Sequence, residues 1–145
     1  MLPFTDRAPT PIPGHATAAG TARFRDRFAA RLPGHLREAG GLWISSIGLG
    51  TYLGEPTVAC DQLYRDAVTR AVELGTNVFD SAINYRHQRS ERAIGQALVS
   101  MLAAGSLRRD EVVVATKGGF LTYDAEEPED PQAYFHEKLI RAGPV

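Results

Sequence analysis

Cysteine, lysine and long apolar runs are all scarce in this chain of 145 residues. Cys60 is the only cysteine, so no intrachain disulfide can form, and no neighbouring histidine or base motif favours a catalytic thiol. No apolar run reaches membrane length, and the N-terminus lacks the apolar core of a signal peptide. We therefore expect a cytoplasmic protein that makes no membrane contact.

A strong charge of either sign is also lacking. The 16 Lys and Arg residues nearly balance the 17 Asp and Glu residues and leave a net charge of −1. This balance predicts no nucleic-acid partner. The four histidines show no metal-ligand spacing with a third partner, so we expect no metal site. Only Lys117 and Lys138 are lysines, which makes Lys117 conspicuous where it follows an apolar run.

The composition that is present, 43% hydrophobic and 23% charged, is typical of one soluble globular domain. Residues 1–22 combine Pro, Gly, Thr and Ala without periodicity, which predicts a disordered tail. Residues 23–34 predict a short helix or linker. Residues 35–120 form the main body, and residues 121–145 predict an acidic loop and a short helix that begins at Pro131.

Strand and helix patterns alternate through the main body. The predicted order is hairpin, strand, helix, strand, helix, strand, at residues 35–46, 44–49, 58–74, 77–80, 90–104 and 111–116. Ser90 is the predicted N-cap of the second helix. This order predicts right-handed βαβ units with a parallel sheet.

Three chemically active side chains follow two neighbouring strands. Asp80 and Lys117 each close an apolar run, and Tyr85 lies in the loop beyond Asp80. Function collects at the carboxyl ends of parallel strands. A tyrosine phenol titrates near pH ~10, and an adjacent ammonium favours the phenolate. The trio therefore predicts an acid that protonates a carbonyl, help that is worth roughly 10²–10⁴ in rate. We read His87 as a surface-loop histidine, with a proton relay as the alternative.

The turn Gly48-Leu49-Gly50 offers a different interpretation, a Rossmann-type dinucleotide-binding module. It follows a predicted strand and precedes a helix, as that fingerprint requires. The third glycine is Gly54, however, so the spacing is GxGxxxG, and no acidic residue stands at the expected distance. Cofactor binding at Gly48 to Gly54 would favour this module, whereas Asp80 and Lys117 side by side would oppose it.

Four ordered motifs resemble the N-terminal part of an aldo/keto reductase over about residues 35–120. Residues 43–51 resemble the first strand of the family, and residues 75–85 resemble its G-x-N-x-F-D-T-A-x-x-Y signature, with Ser81 in place of Thr. The S-E-x-x-x-G-x-A-L and T-K motifs are matched at residues 90–98 and 116–117.

The resemblance implies a partial (β/α)8 TIM barrel, with about three βα units preceded by an N-terminal β-hairpin. It implies NADPH-dependent reduction of a small aldehyde or ketone. Tyr85 matches the proton donor, Lys117 matches the cation that assists it, and Asp80 matches the carboxylate that anchors the lysine. By the same resemblance, Gly50, Thr51, Tyr52 and Asp80 line the cofactor and substrate pocket.

The sequence departs from the family after the third strand. The family places a fourth catalytic residue, a histidine, after its fourth strand, and no such segment is matched here. We therefore expect a truncated reductase that is inactive alone. The alternative from another functional class is a non-catalytic regulatory subunit of the same fold.

Overall fold

Two small β-sheets and four α-helices make up the computed structural model, which describes residues 11–141. The strands are β1 (Leu36–Ala39), β2 (Leu42–Ser45), β3 (Leu49–Gly50), β4 (Val78–Asp80) and β5 (Val113–Ala115). The helices are α1 (Ala18–Phe28), α2 (Val58–Glu73), α3 (Arg89–Ala103) and α4 (Pro131–Phe135). A 3-10 turn at Arg109–Glu111 precedes β5, and a π-helical turn at His136–Arg141 follows α4. None of the helices in the described part of the chain has the length and apolar character to cross a membrane.

The second sheet is parallel, in the order β3-β4-β5. Gly50 pairs with Asp80, and Asp80 pairs with Ala115, so the carboxyl ends of the three strands lie side by side. The predicted parallel sheet is confirmed. The single strand predicted over residues 44–49 is wrong, because the chain bends between β2 and β3, where the Ser45 hydroxyl donates to the carbonyl oxygen of Ile47.

The hairpin predicted around the glycine pair is confirmed. β1 and β2 run antiparallel with Ala39 opposite Leu42. Gly40 and Gly41 both have positive φ, 59° and 80°, which a two-residue hairpin turn requires and which glycine adopts without strain.

Helix α1 begins earlier than the sequence predicts. The predicted disordered tail is wrong for residues 18–22, which are helical, while residues 1–10 lie outside the described residues. The hydroxyl of Thr17 caps the helix by accepting a hydrogen bond from the Gly20 N–H at 2.9 Å. The sequence does not predict this cap, because the surrounding Pro- and Gly-rich residues show no helical periodicity. Phe24 and Phe28 then bury the inner face of α1.

Helices α2 and α3 pack against each other beside the parallel sheet. Thr57 caps α2, and Gly75, at φ 96°, allows the chain to turn into β4. The predicted cap of α3 is wrong: Gln88 occupies the cap position, and Ser90 lies inside the helix. The shared core consists of Phe24, Phe28, Leu36, Val68, Val72, Phe79, Ile94, Ala97, Leu98, Met101, Leu107 and Val112.

The C-terminal helix begins where the sequence predicts. Pro131 is the first residue of α4, and the Asp130 carboxylate accepts a hydrogen bond from the Ala133 N–H at 2.9 Å. Tyr134 and Phe135 then pack against Tyr123, so this helix folds back onto the loop that follows β5.

Candidate active site

One ammonium group joins the three side chains that the sequence singles out. The Nζ atom of Lys117 lies 2.8 Å from both carboxylate oxygens of Asp80 and 3.1 Å from the hydroxyl oxygen of Tyr85. It also donates to the carbonyl oxygen of Ser81 at 2.9 Å. Acceptors from the end of β4 and from the loop after it therefore converge on a single donor group in the loop after β5.

Backbone hydrogen bonds continue past the strand ends and hold these loops together. The Thr51 N–H donates to the Asp80 carbonyl at 3.1 Å, and the Ser81 N–H donates to the Ala115 carbonyl at 2.9 Å. The Ile83 N–H donates to the Lys117 carbonyl at 3.1 Å. The loops after β3, β4 and β5 are thus linked in the order of their strands, which places Asp80 and Lys117 next to each other.

The charges of the site favour a protonated lysine. The pKa of Lys117 is raised above its ordinary value, chiefly by the hydrogen bond to Asp80 and then by the contact with Tyr85, while partial burial opposes the shift. The Lys117 and Asp80 side chains are 49% and 47% exposed. Because water screens a pair that is this open, the pair sets the geometry more than the stability of the fold.

The predicted cofactor-binding residues divide into two groups. Thr51 is fully buried, and its hydroxyl donates to the Asp80 carbonyl at 2.9 Å, so the side chain links β3 to β4. Tyr52 is 65% exposed, and its ring meets the Tyr85 ring edge-on at 5.0 Å between centroids. Gly50 ends β3 with open space where a side chain would stand.

The glycine turn does not open a helix. Helix α2 begins at Val58, four residues beyond Gly54, and Thr57 caps it with its own hydroxyl. Gly48 instead lies close to Val78, where a side-chain carbon would come within 3.2 Å of the Val78 carbonyl oxygen. The strand order β3-β4-β5 fits either fold, but the glycines do not form the phosphate cradle that the Rossmann alternative needs.

His87 lies beside the site without touching the trio. Its ring packs against Tyr123 at 5.3 Å between centroids, and it forms no hydrogen bond with Asp80, Tyr85 or Lys117. The proton-relay alternative therefore finds no contact to support it in the part of the chain that the structure describes.

Sequence reasoning missed a buried ion cluster directly behind Tyr85. Asp61, on α2, lies between the guanidinium groups of Arg86 and Arg89. One signal was available, because Asp61 lies seven and eleven residues before the buried Val68 and Val72 and so shares their helix face. A carboxylate on an apolar face requires a buried cationic partner.

A comparison with protein families finds one matching model, described as the aldo/keto reductase family, over residues 46–142. The match covers about two thirds of the chain and contains the ends of all three parallel strands. Helix α1 and strands β1 and β2 lie before it.

Proposed function

Because the chain belongs to the aldo/keto reductase family, we propose that it carries the proton-donor part of an oxidoreductase site for small carbonyl compounds. Tyr85 is the acid in this proposal. The observation that carries it is the single Lys117 ammonium, which contacts both the Asp80 carboxylate and the Tyr85 hydroxyl.

Each residue of the trio has a separate task in this reaction. The Tyr85 hydroxyl donates its proton to the carbonyl oxygen of the substrate, which leaves a phenolate. The Lys117 ammonium, 3.1 Å away, stabilises the negative charge on that phenolate. The Asp80 carboxylate holds the ammonium through both oxygens, so no reorganisation is needed when the proton moves.

Enzymes of this family generally use NAD(P)H, and we propose NADPH as the cofactor, which supplies the hydride when it is bound. The residues present fit such a group on the open face of the strand ends. Gly50 leaves room for close approach, and Tyr52 offers an exposed ring on which a flat group can stack. Thr51 keeps the loop between them attached to β4, and Asp80 borders the same face.

We further propose that β3, β4 and β5 are the first three strands of a (β/α)8 barrel. Their parallel order with α2 and α3 as crossovers supports this, and the β1–β2 hairpin lies before them in the chain. A complete barrel has ~250 residues, and among residues 11–141 no histidine hydrogen-bonds to the trio. The 145 residues by themselves are therefore proposed not to turn over.

A carbonyl ligand tests the role of Tyr85 without requiring turnover. Titration with 4-nitrobenzaldehyde, followed by NMR of the ¹⁵N-labelled Lys117 ammonium, is expected to shift this resonance in the unmodified chain. The Tyr85→Phe variant should show no shift, because the hydroxyl that links ligand and ammonium is gone. Tyr134→Phe, which removes a hydroxyl on α4, is the matched control and should behave like the unmodified chain. A shift that persists in Tyr85→Phe would contradict the proposal.

A turnover assay tests whether these residues are sufficient. Purified protein with NADPH and 4-nitrobenzaldehyde is expected to consume no NADPH beyond a protein-free control. Aldehyde-dependent consumption that disappears in Tyr85→Phe would refute the proposed insufficiency while supporting Tyr85 as the acid. Consumption that is unchanged in Tyr85→Phe would refute both.

A further inference from the structure

A buried ion cluster lies behind the loop that carries Tyr85. The Asp61 side chain is completely buried, and those of Arg86 and Arg89 are 2% and 9% exposed. Arg86 Nη2 lies 2.5 Å from Asp61 Oδ1, and Arg89 donates to Oδ2 through Nη2 at 2.8 Å and Nε at 3.1 Å. The Asp61 carboxylate therefore holds two guanidinium groups, one from the residue after Tyr85 and one from the first residue of α3.

Arg86 is anchored to more than the carboxylate. Its Nε donates to the Glu55 carbonyl at 3.1 Å, and its Nη2 lies 3.4 Å from the Thr57 carbonyl oxygen. The guanidinium also lies over the Tyr64 ring, 4.9 Å from its centroid. The residue after Tyr85 is thus fixed to the start of α2 by its side chain.

The backbone between the two arginines is strained. Arg86, His87 and Gln88 have φ values of 50°, 54° and 69°, which is the left-handed region that residues with a β-carbon enter at a cost in free energy. Three such residues in succession persist only when their surroundings fix them. The run begins immediately after Tyr85 and ends where Arg89 starts α3, so the Asp61 cluster fixes it at both ends.

We propose that Asp61 is a positioning residue for Tyr85. By holding Arg86 and Arg89 together, Asp61 maintains the left-handed turn and so keeps the Tyr85 hydroxyl on the Lys117 ammonium. The catalytic meaning of this role rests on the proposed function, but the geometric dependence of Tyr85 on Asp61 does not.

The negative charge of Asp61, rather than its volume, holds Arg86 and Arg89 together. Without the carboxylate, the two buried guanidinium groups would lose the negative charge that they share and would repel each other. They would separate, and the strained turn would relax toward negative φ and carry Tyr85 with it. Asp61→Asn has nearly the same shape as the native side chain, so this variant isolates the charge.

The Lys117 ammonium reports on the position of Tyr85. The chain has two lysines, so ¹⁵N-lysine labelling in a Lys138→Arg background leaves one ammonium signal. Tyr85 raises the pKa of Lys117 in addition to the larger effect of Asp80. In Asp61→Asn we expect the Lys117 titration midpoint to fall by as much as it does in Tyr85→Phe. The double variant should show no further fall.

Asp66→Asn is the matched control, because Asp66 lies on the same helix, is exposed and accepts a hydrogen bond from Gln62 at 2.7 Å. It should leave the Lys117 midpoint unchanged. A native midpoint in a folded Asp61→Asn protein, even one of lower thermal stability, would overturn the proposal and leave Asp61 a purely structural residue.

Arg86→Met provides a second variant should Asp61→Asn fail to fold. Methionine keeps the β-carbon, and with it the cost of the left-handed conformation at residue 86, while the anchoring guanidinium is lost. The proposal expects the same fall in the Lys117 midpoint, and a native midpoint would overturn it. Neither measurement depends on aldehyde binding, so failure of the reductase proposal remains distinguishable from failure of this one.

Discussion

Lys117 is shared among more acceptors than it has protons. An ammonium has three donors, and four oxygens lie within 3.1 Å of Nζ: two from Asp80, one from Ser81 and one from Tyr85. The Tyr85 oxygen is the most distant of the four. It therefore makes the longest of these contacts, which is compatible with the proposed transfer of its proton to a ligand.

Asn77 satisfies three backbone groups from two different segments, two in β2 and one in the turn before β5. Its side-chain oxygen accepts from the Ser45 N–H at 2.9 Å, and its side-chain nitrogen donates to the carbonyls of Trp43 and Glu111 at 2.9 and 3.1 Å. Asn77 is fully buried, so water cannot replace these bonds. It joins the hairpin to β4 and to the turn before β5.

Asn77→Ala is expected to lower the free energy of unfolding by about 3 kcal/mol, because it leaves buried backbone groups unpaired. Urea denaturation followed by circular dichroism measures this change. Asn84→Ala, in the loop before Tyr85, is the control and should have little effect on stability. Equal stability of the two variants would show that the Asn77 hydrogen bonds make no net contribution to the free energy of unfolding.

The residue types in the sequence predict the proposed catalytic trio better than they predict the buried ion cluster next to it. Asp80, Tyr85 and Lys117 could be identified because strand ends in a parallel sheet collect functional side chains. The placement of Asp61 beside Arg86 and Arg89 depends on how α2 packs against the Tyr85 loop. Arg86 and Arg89 lie 25 and 28 positions after Asp61 in the sequence. Local sequence does not determine which charged residues pair across such separations.

Among the elements, α1 is held by a close backbone approach. A β-carbon at Gly20 would come within 2.1 Å of the Asp110 carbonyl oxygen. This proximity lets the Thr17 N–H donate to the same oxygen at 3.1 Å and lets Arg23 reach the Asp110 carboxylate at 2.6 Å. Glycine at position 20 is therefore what allows α1 to dock on the turn before β5.

Gly20→Ala is expected to destabilise the protein by on the order of 3 kcal/mol, since either the helix or the turn must move. Gly95→Ala is the matched control inside α3, where an added carbon meets no atom within 4 Å. It should stabilise the protein by about 1 kcal/mol through helix propensity. Thermal melts compare the two, and a Gly20→Ala melt as high as that of Gly95→Ala would contradict the docking described for α1.

Long periodic elements can be predicted from the sequence, and short ones cannot. Helices α2 and α3 were predicted to within about a residue at each end, because apolar residues repeat along one face of each. The break between β2 and β3 depends on Ser45 bonding to Ile47 and Asn77, a tertiary arrangement. The start of α1 depends on one capping threonine among residues that otherwise resemble a loop.

For the whole molecule, the order of elements and the family were the firmest predictions. The βαβαβ order is confirmed by the parallel sheet, and the predicted family is confirmed by the match over residues 46–142. The barrel remains a proposal, because a three-stranded sheet is compatible with more than one parallel fold.

Stability is expected to fall as pH rises beyond about 10. Burial raises the pKa of Tyr64, and Asp80 raises that of Lys117, so both groups bind their protons more tightly when folded. A raised folded-state pKa contributes stability that is present below the unfolded-state pKa and is lost as pH rises through the folded value. The ordinary values are 10.0 for Tyr64 and 10.5 for Lys117, so the loss begins there.

Urea unfolding at pH 8 and pH 11 measures this loss. The decrease in unfolding free energy between the two conditions should be smaller in Tyr64→Phe and in Lys117→Met than in the unmodified chain. Glu73→Gln, an exposed change at the end of α2, serves as the control and should keep the full decrease. An identical decrease in all four proteins would show that neither pKa shift is linked to folding.

The most direct test of the proposed site is a pH titration of the Lys117 ammonium by ¹⁵N NMR. The titration compares the unmodified chain with Asp80→Asn and Tyr85→Phe. We predict a midpoint above the ordinary 10.5 in the unmodified chain, a large fall in Asp80→Asn and a smaller fall in Tyr85→Phe. A midpoint at the ordinary value that neither substitution moves would mean that the three side chains do not form one unit, and the proposed proton donor would lose its basis.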